Sequence, residues 1–343
     1  GDEDDDDDDD DDNGDDDDQP TAAALASAAA DASDARKTTN SGGVVQQWLF
    51  DSALADVDAQ RGSGGVFATA STGVQVWDVS HSSPIHSFEW GAESVTTTRF
   101  NVVDTNVLAS AGSDRSVVLY DVRGSSAIRK LVMTMRTNAI AWNPMESFNF
   151  TIANEDHNCY TFDMRRLSTA LTVHKDHVSA VLDVDYSPTG EEFTTGSYDR
   201  TVRIFKRGGG HSRDVYHTKR MQRVFAVRYS ADSRFVLSGS DDANVRVWKA
   251  VASAPLRPVS AKERRAMEYR DALKQKYAHA PEVRRVLRSH HLPKPIYKAR
   301  KLKHEMAVAE KRKADNVRRH APPEKRAKRP TAERAKPVVA EQQ

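Results

Sequence analysis

Hydrophobic side chains recur in five similar segments, and an aromatic residue closes each one. The five aromatic positions are separated by 43, 42, 43 and 43 residues: Trp77, Tyr120, Phe162, Phe205 and Trp248. Apolar or β-branched side chains stand three positions and one position before each aromatic residue, as Val245 and Val247 do before the last. Such alternation is typical of a half-buried β-strand. The pattern therefore predicts a strand that recurs five times.

A turn of small residues precedes four of these strands. Each turn carries an aspartate six positions before the aromatic residue, whereas the first segment has Ser71 there: Asp114, Asp156, Asp199 and Asp242. A carboxylate in such a turn can accept backbone N–H groups and join two strands tightly. The end of an earlier strand recurs at Phe100, Trp142, Tyr186 and Tyr229. We therefore predict structural roles in the blade turns for the four aspartates.

A unit of about 43 residues that closes on an aromatic residue followed by Asp, as at Trp77-Asp78, is the pattern of a WD-repeat propeller blade. The predicted fold class is all-β, a WD-repeat β-propeller with a basic α-helical C-terminal tail. Five blades are visible over roughly residues 34–250, and we expect them to be part of a seven-bladed ring. Either two N-terminal blades are missing, which we favour because the chain begins at Gly1, or strands elsewhere close the ring.

Helical spacing replaces the strand pattern after Lys249. Ser260 and Glu263 have capping-box spacing, in which a hydroxyl and a carboxylate bond the first N–H groups of a helix. An apolar stripe at helical spacing follows: Ala266, Tyr269, Leu273 and Tyr277. We predict a second helix from Pro281 to about Arg288 and a third over about residues 296–319.

Charge divides the chain into three parts, although the formal net charge is zero. Residues 1–40 hold 17 acidic and 2 basic side chains, residues 41–250 hold 23 and 22, and residues 251–343 hold 10 and 26. Such asymmetry suggests interaction tails around a neutral folded body. We predict four regions in chain order: a disordered acidic and Ala-rich segment at 1–40, the propeller at 41–250, a basic helical domain at 251–320 and a disordered basic tail at 321–343.

Candidate catalytic chemistry is sparse in this sequence. The single cysteine, Cys159, excludes an intramolecular disulfide and a Cys-based zinc site, and its place in the repeat indicates a buried strand residue. The sequence contains no Gly-rich phosphate loop, no Ser/His/Asp arrangement and no HExxH motif. Blades of nearly constant length leave little room for a grafted active site. We predict no enzyme activity, no catalytic residues, no cofactor, no metal, no membrane span and no small-molecule substrate.

His177 has the position of a propeller's loop histidine. It could form a hydrogen-bond network within its blade with Asp199 and either Thr195 or Ser197. Phe205 replaces the usual Trp, so the network would lack its last member.

Seven segments of the chain are distinctive when taken together: 136–146 (RTNAIAWNPME), 153–156, 160–166, 174–181, 215–222, 281–285 and 290–294. They resemble one WD family, the Sof-type (suppressor-of-fibrillarin) proteins of the small-subunit processome, and the resemblance covers about residues 44–305. It implies a non-catalytic nucleolar scaffold associated with the U-three small nucleolar RNP, which supports processing of the small-subunit ribosomal RNA precursor. The acidic block and the missing upstream blades depart from the family and leave ring closure open.

The basic tail is the candidate RNA-binding region. A net charge of +16 over 251–343 suits RNA phosphates or an acidic protein groove, although a solvated helix is the simpler alternative. The candidate RNA or RNP contacts are Arg284, Arg285, Arg288, His290, His291, Lys294, Lys298, Arg300, Lys301 and Lys303. Two basic clusters have bipartite nuclear-import spacing: Lys311, Arg312, Lys313, Lys325, Arg326, Lys328 and Arg329. The acidic segment is interpreted as a solubilising insertion, with contact to basic partners as the alternative.

A second function is compatible with the same sequence. The stretches ending in Arg123 and Arg165 resemble the Trp-Asp-x-Arg box with which some WD proteins dock the adaptor of the cullin-four ubiquitin ligase. The chain would then be a substrate receptor, unless both arginines are simply solvated. The expected partners are processome proteins, the U-three RNP with pre-ribosomal RNA, and this adaptor. The sequence does not decide which propeller face binds which partner, or whether the chain contacts RNA directly.

Overall fold

Antiparallel sheets form most of this computed structural model, which describes residues 47–50, 52–62, 64–89, 94–287, 289–321, 334 and 337–342. The predicted acidic segment 1–40 lies outside these residues. Residues 50–343 form one unit. The predicted all-β WD propeller is confirmed, because each predicted repeat folds into its own sheet.

The first three sheets contain four consecutive strands each. The first holds β1 (Asp56–Ala59), β2 (Val66–Ala70), β3 (Val74–Asp78) and β4 (His86–Phe88). The second holds β5 (Val95–Phe100), β6 (Val107–Gly112), β7 (Ser116–Asp121) and β8 (Ala127–Met133). The third holds β9 (Thr137–Trp142), β10 (Asn149–Asn154), β11 (Cys159–Asp163) and β12 (Thr172–His174).

The last two sheets continue this order. The fourth holds β13 (Val181–Tyr186), β14 (Glu192–Ser197), β15 (Val202–Lys206) and β16 (Ser212–Tyr216). The fifth holds β17 (Val224–Tyr229), β18 (Phe235–Ser240) and β19 (Asn244–Lys249) in the described part of the chain. Every predicted aromatic anchor lies in the third strand of its sheet, and the predicted earlier strand ends fall at the ends of β5, β9, β13 and β17.

Apolar side chains hold neighbouring sheets together. The described residues include four buried clusters, and each combines residues of two consecutive sheets. Gly196 shows how close the fourth and fifth sheets come, since a Cβ there would lie 2.8 Å from a methyl group of Val224. The first strands of the five sheets lie side by side along a cavity of about 730 Å³.

The outer face of the fifth sheet differs from its equivalents. Val245 and Val247 are 72% and 61% exposed, whereas the matching Val202 and Ile204 of the fourth sheet are fully buried. Within the described ranges, no further sheet covers these side chains.

In the described part of the chain, helices α1 (Ala261–Lys276), α2 (Pro281–Leu287) and α3 (Lys294–His320) follow the fifth sheet. The predicted capping box at the start of α1 is confirmed, since the Glu263 N–H donates to Ser260 Oγ and the Ser260 N–H donates to the Glu263 carboxylate, both at 3.3 Å. None of the described residues in the three helices is buried. The described residues of these helices therefore form no core of their own.

The chain returns to the propeller near its end. Residues Val338–Gln342 form β20, which pairs antiparallel with β8 at the edge of the second sheet. Val338 packs against the core between the second and third sheets. The predicted disorder of 321–343 is therefore wrong for 338–342, because strand hydrogen bonds and apolar burial offset the entropy cost of ordering.

Val338→Asp is expected to lower the free energy of unfolding by about 1–3 kcal/mol, because it places a charge against this core. Val339→Asp is the matched control, since Val339 is 63% exposed in the same strand, and its effect should stay within about 0.5 kcal/mol. Urea unfolding of both variants measures the difference. Equal losses would show that β20 contributes through its backbone alone.

Candidate functional site

Near the start of α3, three described residues of the basic tail contact the propeller. The ring of His291 stacks on His217 with centroids 5.3 Å apart, and His217 Nε2 lies 3.1 Å from the His291 carbonyl oxygen. Arg300 donates to Asp176 Oδ1 at 2.8 Å. The ammonium of Lys303 donates to the Val178 carbonyl oxygen. These contacts join the segment before α3 and the first turns of α3 to the loops on either side of the fourth sheet.

Asp176 is the acceptor at the centre of this anchor. Its side chain is 6% exposed, and it also accepts the N–H and hydroxyl of Ser212, both at 2.9 Å. Burial by itself would raise the pKa of Asp176, but the Ser212 hydrogen bond and the Arg300 charge outweigh it and hold the pKa below its usual range. Asp176 was not among the residues predicted from the sequence, although it stands directly beside the predicted loop histidine His177.

The tail residues predicted from the sequence differ in the contacts that they form. His291, Arg300 and Lys303 contact the propeller, so part of their hydrogen-bonding capacity is used within the chain. Arg284 and Arg285 are exposed on α2 and form no ion pair with any described residue. Lys301 lies 3.8 Å from Glu305 on its own helix. The remaining candidates are half-buried at His290 and exposed at Lys294, Lys298, Lys311, Arg312 and Lys313. Arg288, Lys325, Arg326, Lys328 and Arg329 lie outside the described residues.

Arg123 and Arg165 are presented in the same way on neighbouring blades. Arg123 binds Asp121 through Nε at 3.1 Å and Nη2 at 3.0 Å, and its side chain is 69% exposed. Arg165 binds Asp163 through the same atoms at 3.0 and 2.8 Å and is 63% exposed. The Arg165 guanidinium also lies 4.2 Å above the Phe148 ring. A bidentate carboxylate fixes each guanidinium plane while leaving it open to a partner.

The four turn aspartates lie between the second and third strands of their sheets. The residue after each aspartate has a left-handed backbone: Arg115, His157, Arg200 and Ala243. Asp114, Asp156 and Asp199 each accept the backbone N–H two residues later, at 3.0–3.1 Å. Asp242 differs, because its carboxylate binds the guanidinium of Arg246. The expectation that Asp242 holds a turn N–H is therefore wrong, since an arginine four residues later takes both oxygens.

His177 forms the predicted network inside the fourth blade. Its Nδ1–H donates to Asp199 Oδ2 at 2.9 Å, and its Nε2 accepts from Thr195 Oγ1 at 2.7 Å. Phe205 stands beside the imidazole with centroids 6.1 Å apart and offers no hydrogen bond. The His177 and Asp199 side chains are 1% and 2% exposed. Asp199 is also buried, which alone would raise its pKa, but His177 and Thr201 hold that pKa well below the usual range.

A repeated Asp-x-Asp contact between blades escaped the sequence analysis. Asp56 accepts the Thr98 N–H and the Arg99 guanidinium, and Asp58 accepts the Phe100 N–H at 2.7 Å. The same arrangement recurs three blades later, where Asp183 and Asp185 accept N–H groups of β17 at 2.9 and 2.7 Å. Burial raises the pKa of Asp58, Asp183 and Asp185. The shared Asp-x-Asp spacing is the sequence signal from which these structural side chains could have been predicted.

Cys159 is fully buried in β11, as its position in the repeat predicts, and burial raises the pKa of its thiol. No group of three or more His, Cys, Asp or Glu side chains in the described part of the chain could hold a metal ion. Across the same residues, no helix is long and apolar enough to cross a membrane.

Five sheets in blade order, with a histidine–aspartate network in one of them, define the class as a WD-repeat propeller protein. Residues 168–206 and 210–249 match the WD domain, G-beta repeat family, and residues 250–338 match the Sof1-like domain. The predicted recognition is confirmed in that the chain combines WD repeats with a Sof1-like domain.

Curated relatives support the same assignment. The chain is 52% identical over 259 residues to DDB1- and CUL4-associated factor 13 of Danio rerio, covering 76% of this chain and 58% of the relative. It is 49% identical over 277 residues to Protein SOF1 of Saccharomyces cerevisiae, covering 81% and 56%. The Homo sapiens DDB1- and CUL4-associated factor 13 is 47% identical over 258 residues, covering 75% and 58%. The chain thus spans a little over half the length of these relatives.

Proposed function

We propose that this chain is a non-catalytic scaffold of the small-subunit processome that supports processing of the small-subunit ribosomal RNA precursor. It would act in the nucleus and nucleolus, through contacts to processome proteins, the U-three small nucleolar RNP and pre-ribosomal RNA. The observation that carries the proposal is the Sof1-like region itself, a set of exposed basic helices docked on a WD propeller. Its likeness to Protein SOF1 and to the Sof-type processome proteins supports the assignment.

Charge and exposure support a role of the tail in RNA contact. The tail carries 26 basic and 10 acidic side chains, whereas the propeller region is nearly neutral. Multivalent cations on exposed helices gain affinity for RNA by releasing counterions from phosphates. Because His291 and Arg300 hold the tail to the fourth blade, the neighbouring Arg284 and Arg285 are presented from a restrained segment, which reduces the entropy lost on binding.

Changing Arg284 and Arg285 together to lysine is expected to reduce co-sedimentation with pre-ribosomal particles by about tenfold. The net charge is preserved, but lysine lacks the bidentate fork with which arginine grips a phosphate, and losing one charge-assisted hydrogen bond costs about 1.5–3 kcal/mol. The matched control is the Arg264→Lys and Arg265→Lys double variant, an exposed pair on α1 that forms no ion pair with any described residue.

The readout is the fraction of tagged protein that sediments with particles containing small-subunit precursor RNA, with nuclear import scored separately by microscopy. Normal assembly of the Arg284/Arg285 variant would show that bulk charge anchors the tail. Failure of the unaltered chain to associate with such particles would contradict the processome role.

The second candidate function is substrate recognition for a cullin-four ubiquitin ligase. It is favoured by the matched, exposed presentation of Arg123 and Arg165, and relatives of this chain bear the name DDB1- and CUL4-associated factor. Adaptor binding that survives RNase treatment but is lost in the Arg123→Ala and Arg165→Ala double variant would support it. Arg234→Ala, an exposed arginine of another blade, is the control. Adaptor binding that ignores Arg123 and Arg165 would leave the receptor role without this docking site.

A further inference from the structure

Two aromatic rings are exposed where the fourth blade meets the fifth. Tyr198 and Phe225 are 38% and 48% exposed, and their rings meet edge to face with centroids 6.2 Å apart. The guanidinium of Arg223 lies 4.7 Å above the Tyr198 ring. Neither ring belongs to the buried clusters between the blades. Tyr198, Phe225 and Arg223, together with Lys219 and Arg220, are called the aromatic–basic surface below.

The fold does not require an aromatic residue at position 198. Tyr198 directly precedes the turn aspartate of the fourth blade, and its equivalents in three other turns are Ser113, Glu155 and Asp241. All four turns form between the same pair of strands. The partly exposed ring of Tyr198 belongs to no buried apolar cluster, so it is available for binding.

The charge around the two rings is predominantly positive. Lys219, Arg220 and Arg223 are exposed in the segment before β17, and Arg200 is exposed in the turn after Tyr198. None of these four side chains forms an ion pair with any residue that the structure describes. Asp241, whose N–H donates to the Arg223 carbonyl oxygen, is the acidic residue beside them. The aromatic–basic surface therefore favours the binding of a polyanion.

The surface is continuous with the anchor of the tail. The segment that carries Lys219 and Arg223 begins at His217, which stacks on His291. On the other side, the Tyr198 N–H donates to the Ala180 carbonyl oxygen, in the loop whose Val178 binds Lys303. A strand of nucleic acid lying on the tail could thus continue onto the propeller without leaving positively charged protein.

We propose that the aromatic–basic surface binds an unpaired RNA segment by stacking bases on Tyr198 and Phe225 while Lys219, Arg220 and Arg223 contact the phosphates. Unpaired bases offer π-faces that duplex RNA conceals, and aromatic side chains beside basic ones are the usual platform for single strands. The proposal rests on the proposed function, because that function supplies RNA as a partner, and it moves part of the recognition from the tail to the propeller.

The test uses the purified full chain and a fluorescent single-stranded uridine-rich 12-nucleotide RNA, titrated at several salt concentrations. Tyr198→Ala and Phe225→Ala are each expected to weaken binding at least about fivefold, the equivalent of roughly 1 kcal/mol of stacking per base. Tyr198→Phe should bind normally, because the ring is retained. Tyr269→Ala is the control, an exposed tyrosine on α1.

Salt dependence separates stacking from charge. Tyr198→Ala and Phe225→Ala remove no charge, so the slope of log affinity against log salt should stay unchanged. Arg223→Gln should reduce that slope by about 0.7, the value for one lost phosphate contact to a single strand. Thermal melting checks the fold, and Phe225→Met serves as a second variant that keeps apolar volume without the flat ring.

Normal RNA affinity of correctly folded Tyr198→Ala and Phe225→Ala proteins would overturn the proposal. If these variants bind RNA normally but lose association with pre-ribosomal particles, the surface binds a protein, and the proposal is also wrong. A result in which the unaltered chain binds the oligonucleotide through Tyr198 and Phe225, yet never associates with the particles, would support this inference while refuting the proposed function.

Discussion

Replacing Asp199 with alanine is expected to lower the free energy of unfolding by about 3–5 kcal/mol, because several buried donors would lose their acceptor, at a cost of about 1–3 kcal/mol each. Asp199 Oδ2 accepts from His177 Nδ1 and the Val178 N–H, and Oδ1 accepts from the Thr201 N–H and hydroxyl. All of these donors would lose their acceptor in a site that water does not reach.

Asp242→Ala provides the matched comparison, because Asp242 occupies the equivalent turn. Its side chain is 14% exposed, its partner Arg246 is 18% exposed, and that guanidinium can turn to water when the carboxylate is removed. We expect a clearly smaller loss than for Asp199→Ala, because an ion pair that water can reach contributes little to stability. Urea denaturation of the two variants and the unaltered chain measures the difference, and equal losses would contradict the importance of the His177 network.

Acidification from pH 7 to pH 4 is expected to destabilise the propeller, and His174 should account for about 3 kcal/mol of the effect. His174 is 1% exposed, its Nδ1–H donates to the Gly209 carbonyl oxygen at 2.6 Å, and its Nε2 accepts from Thr161 Oγ1 at 2.9 Å. Burial lowers its pKa to about 4, although the Gly209 hydrogen bond opposes this shift. The neutral imidazole is thus part of the folded core.

The sign follows from proton linkage. In the unfolded chain the histidine pKa is about 6.5, so between pH 6.5 and 4 the unfolded state binds a proton that the folded state does not. The stabilisation by His174 is therefore fully present above pH 6.5 and is lost as pH falls toward 4. His177 acts in the same direction, since burial lowers its pKa as well. The stabilisation by Asp199 disappears only at lower pH, because its folded pKa is depressed below the usual carboxyl range.

The measurement is the free energy of unfolding in urea at several pH values from 7 to 4. His174→Gln should be less stable than the unaltered chain at pH 7 and should show a shallower loss on acidification. His279→Gln is the control, because His279 is exposed between α1 and α2 and should leave the pH profile unchanged. An unaltered pH profile in His174→Gln would assign the acid sensitivity to other groups.

The repeat architecture could be read from the sequence because its signals are local. A strand alternates apolar and polar positions with period two, and its place in the blade is marked by residues such as Trp248 and Asp199 at constant spacing. The start of α1 was equally readable, since Ser260 and Glu263 satisfy helix N–H groups only three residues apart. The resemblance to the Sof-type family rests on such local segments as well.

The tertiary structure alone decided which side chains meet across the chain. Asp176 and Arg300 are 124 residues apart, and no periodic pattern relates a blade loop to a helix that comes after all five blades. The same holds for β20. The composition of its five residues does not set them apart from the rest of the tail, and they form a strand because the edge of β8 supplies hydrogen-bond partners. Asp199 and Asp242 occupy equivalent positions, yet one is paired with a buried histidine and the other with a partly exposed arginine. Local composition sets which elements form, whereas burial and pairing depend on the neighbours that only the folded chain brings together.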